Sequence, residues 1–140
     1  MNHWNLKLSA TSFEWLQSVQ NNFDAFLIDH ALNERKASAS AMTLVAHYPD
    51  RAKLVEVMIE LAIEELNHFK QVMKIIASRN LIIENEKKDP YVNELRRHMK
   101  KSDSEAYLLD RLLSGAVIEA RGEERFCLLA ENLSDQALRS

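Results

Sequence analysis

The sequence predicts an all-α protein, a bundle of long antiparallel helices, and three observations carry that prediction. Only two Gly and two Pro occur in 140 residues, which leaves too little turn chemistry for a many-stranded fold. Hydrophobic residues make up 46% and charged residues 28%, the balance of helices that bury one stripe and face water with the rest. Apolar residues recur in alternating steps of four and three along three segments, the stride of helices packed on their neighbours. A single domain over residues 1–140 is expected, long enough to bury a sizeable core.

The first helix is expected to open at Thr11, where Thr11-Ser-Phe-Glu14 has capping-box spacing, and to run to about His47, where Tyr48-Pro49-Asp50 stops it. Asp50 then caps a second helix from about Arg51 to Arg79, followed by a polar loop from Asn80 to Asp89. Pro90 suits the first turn of a short basic helix reaching about Lys101. Ser102-Asp-Ser-Glu105 offers another capping box for a third long helix ending near Glu131, and Ser134 and Asp135 read as the start of a further helix cut off at Ser140.

A formal charge of -3 argues against a surface that is basic all over. One local basic cluster stands out, Lys87, Lys88, Arg96, Arg97, His98, Lys100 and Lys101. It reads either as a solvated face beside a loop or as a phosphate-binding patch. Cys127 is the single cysteine, so no intrachain disulfide forms, and no apolar run approaches the ~20 residues that cross a bilayer. A cytoplasmic protein without a membrane association is expected.

The stripes themselves carry the chemistry. In the first helix the stripe reads Phe23, Leu27, His30, Glu34, Ala37, Ala41, Leu44; in the second, Leu54, Met58, Leu61, Glu65, His68, Val72, Ile75; in the third, Leu108, Leu112, Gly115, Glu119, Gly122, Phe126, Leu129. Each stripe thus holds a glutamate where an apolar side chain belongs. Desolvating a carboxylate costs several kcal/mol unless a partner compensates it, and a bound cation is one such partner. Helical bundles of the ferritin-like di-iron type use one Glu from each of two helices and a Glu-x-x-His pair from each of the other two. Glu34, Glu65-Leu-Asn-His68 and Glu119 match three of those four contributions.

Carboxylates bridge two metals and neutralise their charge, and an imidazole adds a nitrogen donor, a set suited to iron or manganese. With 14 Glu and 5 His in the chain, a lone Glu-x-x-His arises readily by chance, so position matters more than the motif. Glu34 lies 15 residues before Pro49 and Glu65 lies 16 after it, which would set them level across an antiparallel hairpin. Glu64 and Glu123 lie off the stripes; Glu124 is the rival to Glu119, and His30 is either a partner of Glu34 or a satisfied core histidine.

At these residues the chain resembles the tRNA hydroxylase family that acts on 2-methylthio-N6-isopentenyladenosine, the modified base beside the anticodon. The resemblance rests on Leu27-Ile-Asp-His-Ala31 with Glu34-Arg-Lys-Ala37, on Leu61-Ala-Ile-Glu-Glu65 with His68-Phe69, and on Ile118-Glu-Ala-Arg121 with Glu124-Arg-Phe126. It implies a ferritin-like four-helix bundle with left-handed antiparallel packing, its last helix truncated here before a second Glu-x-x-His. It also implies a non-haem di-iron monooxygenase with two iron ions, O2 as co-substrate, tRNA as substrate and an electron-transfer reductase as partner. Carried over by position, Glu34, Glu65, His68 and Glu119 would be the iron ligands, and the stretch from Arg96 to Lys101 would hold tRNA phosphates.

The chain departs from the family pattern at Asn33 and Glu123, where cysteines are usual, and at Ile63, where arginine is common. Two alternatives accompany this reading. One is another ferritin-like di-iron oxidase or iron-handling protein; the other is a metal-free helical association module, a possible homodimer pairing through an apolar face.

Overall fold

The computed structural model of the chain describes residues 9–84, 90–99 and 105–133. All regular structure among them is helical, in the order α1 (Phe13–Asn21), α2 (Phe23–His47), α3 (Ala52–Ser78), α4 (Pro90–Arg97) and α5 (Glu105–Asn132). The chain divides into two compact units, Met1–Gln20 with Lys87–Ser140, and Asn21–Glu86.

The second unit is an antiparallel hairpin of α2 and α3. Its core is Leu27, Ala31, Val72 and Ile76, against which Phe23, Ile28, Phe69 and Met73 pack. Ser38 fixes the register further along, where its buried hydroxyl donates to the Ala62 carbonyl of the facing helix at 2.8 Å. At the hairpin's tight end the Tyr48 N–H donates to the Leu44 carbonyl and the Arg51 N–H donates to the Tyr48 carbonyl, closing a turn around Pro49 and Asp50. The residue that caps α3 is Arg51, without a side-chain bond; Asp50, the expected cap, lies in the turn itself.

The other end of α3 shows why that helix stops. Asn80 takes φ 55, the left-handed conformation that asparagine tolerates better than most residues. Its N–H donates to the Ala77 carbonyl, and the Leu81 N–H donates to the Ile76 carbonyl, the pair of bonds that defines a Schellman ending. Leu81 then packs on the core cluster that contains Ile76, the apolar contact that usually completes such an ending. Nearby, Arg79 Nε donates to Asp24 Oδ1 at 2.6 Å and its guanidinium covers the Phe23 ring. Both charged groups are well exposed, so this pair adds little stability.

In the first unit α1 runs alongside the second half of α5. The Thr11 N–H donates to Glu124 Oε1 at 3.0 Å, the Thr11 hydroxyl donates to Glu124 Oε2, and Gln20 Nε2 donates to the Asn132 carbonyl. Arg125 lies over the Trp15 ring, and Arg121 lies 3.7 Å above the ring centre of Tyr91 in α4. Leu16 and Val19 of α1 and Leu108, Ala120 and Leu129 of α5 are buried.

Two expectations about the first helix are corrected. Ser12, not Thr11, caps it, accepting from the Trp15 N–H at 3.2 Å, which leaves Thr11 free to hold Glu124. The helix also breaks at Asn22, which has φ -132 and whose carbonyl accepts the Phe26 N–H to start α2. Asparagine competes with the helix through its own short polar side chain and favours such junctions. The expected cap at Ser102 and the helix start at Ser134 lie outside the described residues.

Candidate metal centre

The hairpin's register brings the polar stripe residues of α2 and α3 together. One ligand atom from each of Glu34, Glu65 and His68 lies within 4.8 Å of the others. Glu65 and His68 share a face of α3 because residues three apart stand one above the other on a helix. Glu65 is only 4% exposed and is the one charged residue among the buried side chains described. Among the described residues no lysine or arginine forms an ion pair with it.

Glu34 spreads its two oxygens between two imidazoles. Oε1 lies 3.3 Å from His30 Nε2 one turn earlier on α2, and Oε2 lies 3.9 Å from His68 Nδ1 across the hairpin. Burial, with His68 nearby as a second cause, pushes the His30 imidazole from 6.5 down to about 4, so the ring is neutral at ordinary pH. His68 is the most open of the group, its side chain 44% exposed, which leaves the cluster one side accessible to solvent.

The donor set fits a hard or borderline divalent cation. Two carboxylates and an imidazole within one coordination sphere's reach, one carboxylate deeply buried, form an arrangement that repels itself without a positive charge and is satisfied by one. Glu64, expected to be solvated or peripheral, is exposed.

The α5 candidates stand differently. Glu119 is exposed while its neighbour Ala120 is buried, and of the stripe written for that helix Leu108 and Leu129 are buried whereas Gly115, Glu119 and Phe126 are not. Glu124, the rival, has both carboxylate oxygens engaged by Thr11, a structural tie that the spacing of residues in α5 does not reveal. Of the basic cluster, Arg96 and Arg97 are exposed on α4 and His98 just after it, with Arg97 paired to Glu94 at 2.9 Å; Lys87, Lys88, Lys100 and Lys101 lie outside the described residues. No helix among the described residues is long and apolar enough to cross a membrane.

Comparison with known proteins gives this centre its context. Residues 2–140 match the family described as tRNA-(MS[2]IO[6]A)-hydroxylase (MiaE). The chain belongs to the MiaE family. Among its relatives is the tRNA 2-(methylsulfanyl)-N(6)-isopentenyladenosine(37) hydroxylase of Pseudomonas putida, 34% identical over 122 residues, a match covering 87% of this chain and 59% of the relative. The enzyme of the same description from Salmonella typhimurium is 32% identical over 134 residues, covering 86% of this chain and 45% of the relative. The chain therefore spans about half to three-fifths of the length of the curated MiaE relatives it matches. A solved structure, protein 43 with aldehyde deformylating oxygenase activity from Synechococcus, superposes with a TM-score of 0.89 at 37% identity, covering 94% of this chain and 65% of the other. The all-helical, ferritin-like class expected from the sequence is the class of this MiaE chain.

Proposed function

We propose that this chain carries the metal-binding helices of an O2-dependent tRNA hydroxylase that oxidises the isopentenyl group of 2-methylthio-N6-isopentenyladenosine beside the anticodon. The observation that carries the proposal is the buried Glu65 beside Glu34 and His68 in a chain of the MiaE family. Glu34, Glu65, His68 and, from α5, Glu119 are the residues we assign as ligands of two iron ions. When bound, ferrous iron supplies the electrons and the O2-binding site that carbon–hydrogen hydroxylation requires.

The chain's own residues define the rest of the chemistry. Glu34 offers one oxygen towards His68 and one towards His30, so it can hold its carboxylate plane fixed while a cation binds at Oε2. Glu65 presents its carboxylate from a dry position, where water competes poorly for the cation. The open side at His68 is the approach for a base taken out of its stack, the usual way an enzyme reaches a nucleobase substituent. Arg96 and Arg97 are candidates for phosphate contacts. A reductase would return the electrons consumed, and the protein would work in the cytoplasm, where tRNA is modified.

The test is to load the 140-residue chain with ferrous iron, supply O2, a chemical reductant and tRNA carrying the isopentenyl nucleoside, and weigh the nucleosides released. Gain of one oxygen atom by the modified nucleoside is expected, and its absence from a chain holding two irons overturns the proposal. The Synechococcus oxygenase, 37% identical, favours one alternative, a ferritin-like oxygenase with an aldehyde substrate. A fatty aldehyde in the same assay separates the two.

A further inference from the structure

His30 of the hairpin is not among the assigned ligands, yet it lies against one of them. Phe26, His30 and Glu34 succeed one another at one-turn intervals along α2, and such neighbours stack on a single helix face. The Phe26 and His30 rings lie nearly parallel, 13° apart with centroids separated by 6.1 Å, and Phe26 in turn stacks on Phe23. The aromatic ladder fixes the plane of the imidazole. Its Nε2 edge then faces Glu34 Oε1 at 3.3 Å, the reach of a long N–H···O bond.

We propose that His30 is the positioning residue of the candidate metal centre, its Nε2–H holding Glu34 Oε1 so that Oε2 stays turned towards His68 and the cation. The inference rests on the assignment of Glu34, Glu65 and His68 as ligands. Its chemical logic is that a carboxylate on a mobile side chain pays rotamer entropy on binding a metal, and a donor clamped to one oxygen removes that cost beforehand. An imidazole N–H suits the task because it can donate to the carboxylate oxygen that faces it. The requirement fixes the tautomer: the proton sits on Nε2, and Nδ1 carries the lone pair.

The experiment uses the full chain and Co2+ as a spectroscopic probe, titrated calorimetrically and by its visible ligand-field absorption. His30→Phe keeps the stack on Phe26 and removes the donor; His30→Gln restores an N–H at similar reach. Loss of the donor is expected to weaken Co2+ binding about 10- to 100-fold and to shift the absorption bands, while His30→Gln stays within about threefold of the parent, as for other outer partners of metal ligands. Unchanged affinity in His30→Phe overturns the positioning role alone. A His30→Gln variant as weak as His30→Phe also overturns it, because the ring itself is then required. A parent chain that binds no Co2+ overturns both this role and the ligand assignment. The metal-free parent provides a reading that needs no variant to fold: long-range proton–nitrogen NMR should find His30 in the Nε2–H tautomer, and the Nδ1–H form overturns the proposal.

Discussion

Replacing Glu65 with glutamine should make the metal-free protein more stable and the metal-loaded protein less so. The side chain is 4% exposed, and its carboxylate belongs to a cluster whose ligand atoms lie within 4.8 Å of one another. Two negative charges at that separation repel by about 3.5 kcal/mol at an effective dielectric constant of ~20. Glu34 and His68 are partly open to solvent, which lowers the recoverable part to about 2 kcal/mol. In a chain of this length that corresponds to a rise of roughly 6–10 °C in Tm. Saturating the parent with Mn2+ at about one hundred times its Kd should add ~2.7 kcal/mol, and Glu65→Gln should forgo nearly all of it. Paired thermal unfolding curves, with and without Mn2+, read both effects. The reasoning fails if Glu65→Gln lowers the metal-free Tm, or if Mn2+ raises both proteins equally, because Glu65 would then be a structural group and not a ligand.

Glu119 and Glu124 separate by the same assay: Glu124→Gln and Thr11→Val should each cost on the order of 1–2 kcal/mol of stability and leave Mn2+ affinity alone, whereas Glu119→Gln should lower the affinity and leave the fold intact. The buried His30 titrates near 4 in the fold and near 6.5 when unfolded, facing Glu34 and His68. The unfolded chain therefore binds that proton first, and the metal-free protein should keep its full stability above pH 6.5 and lose on the order of 3 kcal/mol as pH falls to about 4; chemical denaturation of the parent and of His30→Phe across this range checks it, the variant lacking that slope. At the end of α3, Asn80→Gly should be neutral or stabilising, and Asn80→Val should cost roughly 1–2 kcal/mol, since only the first tolerates φ 55. Ile76→Ala should cost about 2–5 kcal/mol in urea unfolding, the usual loss for emptying a closed core position.

The hairpin was largely legible because both of its helices bury one continuous stripe. Leu27, Ala41 and Leu44 on α2, and Met58, Glu65 and Val72 on α3, are all buried at positions written from the stride alone, and the level placement of Glu34 and Glu65 follows from counting residues to Pro49. The break at Asn22 was hidden because the apolar series Leu16, Val19, Phe23, Leu27 continues across it in helical steps, so a single non-helical residue leaves no mark on the period. The choice between Thr11 and Ser12 as cap was hidden for another reason. What decides it is the hold of Thr11 on Glu124, two residues 113 positions apart, and no local pattern encodes a contact of that range. Glu119 marks the limit on α5, where Gly115, Glu119 and Phe126 of the written stripe are exposed and Ala120, off it, is buried.

What ties sequence to chemistry here is charge in a dry place more than any motif. Glu-x-x-His alone is common enough to mean little, and Glu64 beside it is exposed while Glu65 is buried. A fold that places Glu65 against Glu34, with His30 Nε2 3.3 Å from Glu34 Oε1 and no lysine or arginine pairing with Glu65 among the described residues, buries a carboxylate without a cationic side chain of its own. Natural sequences violate packing rules mainly where function requires it. The buried Glu65 carboxylate is therefore the reason to expect a cation there, and the sign reversal expected for Glu65→Gln between the metal-free and metal-loaded states is its direct thermodynamic signature.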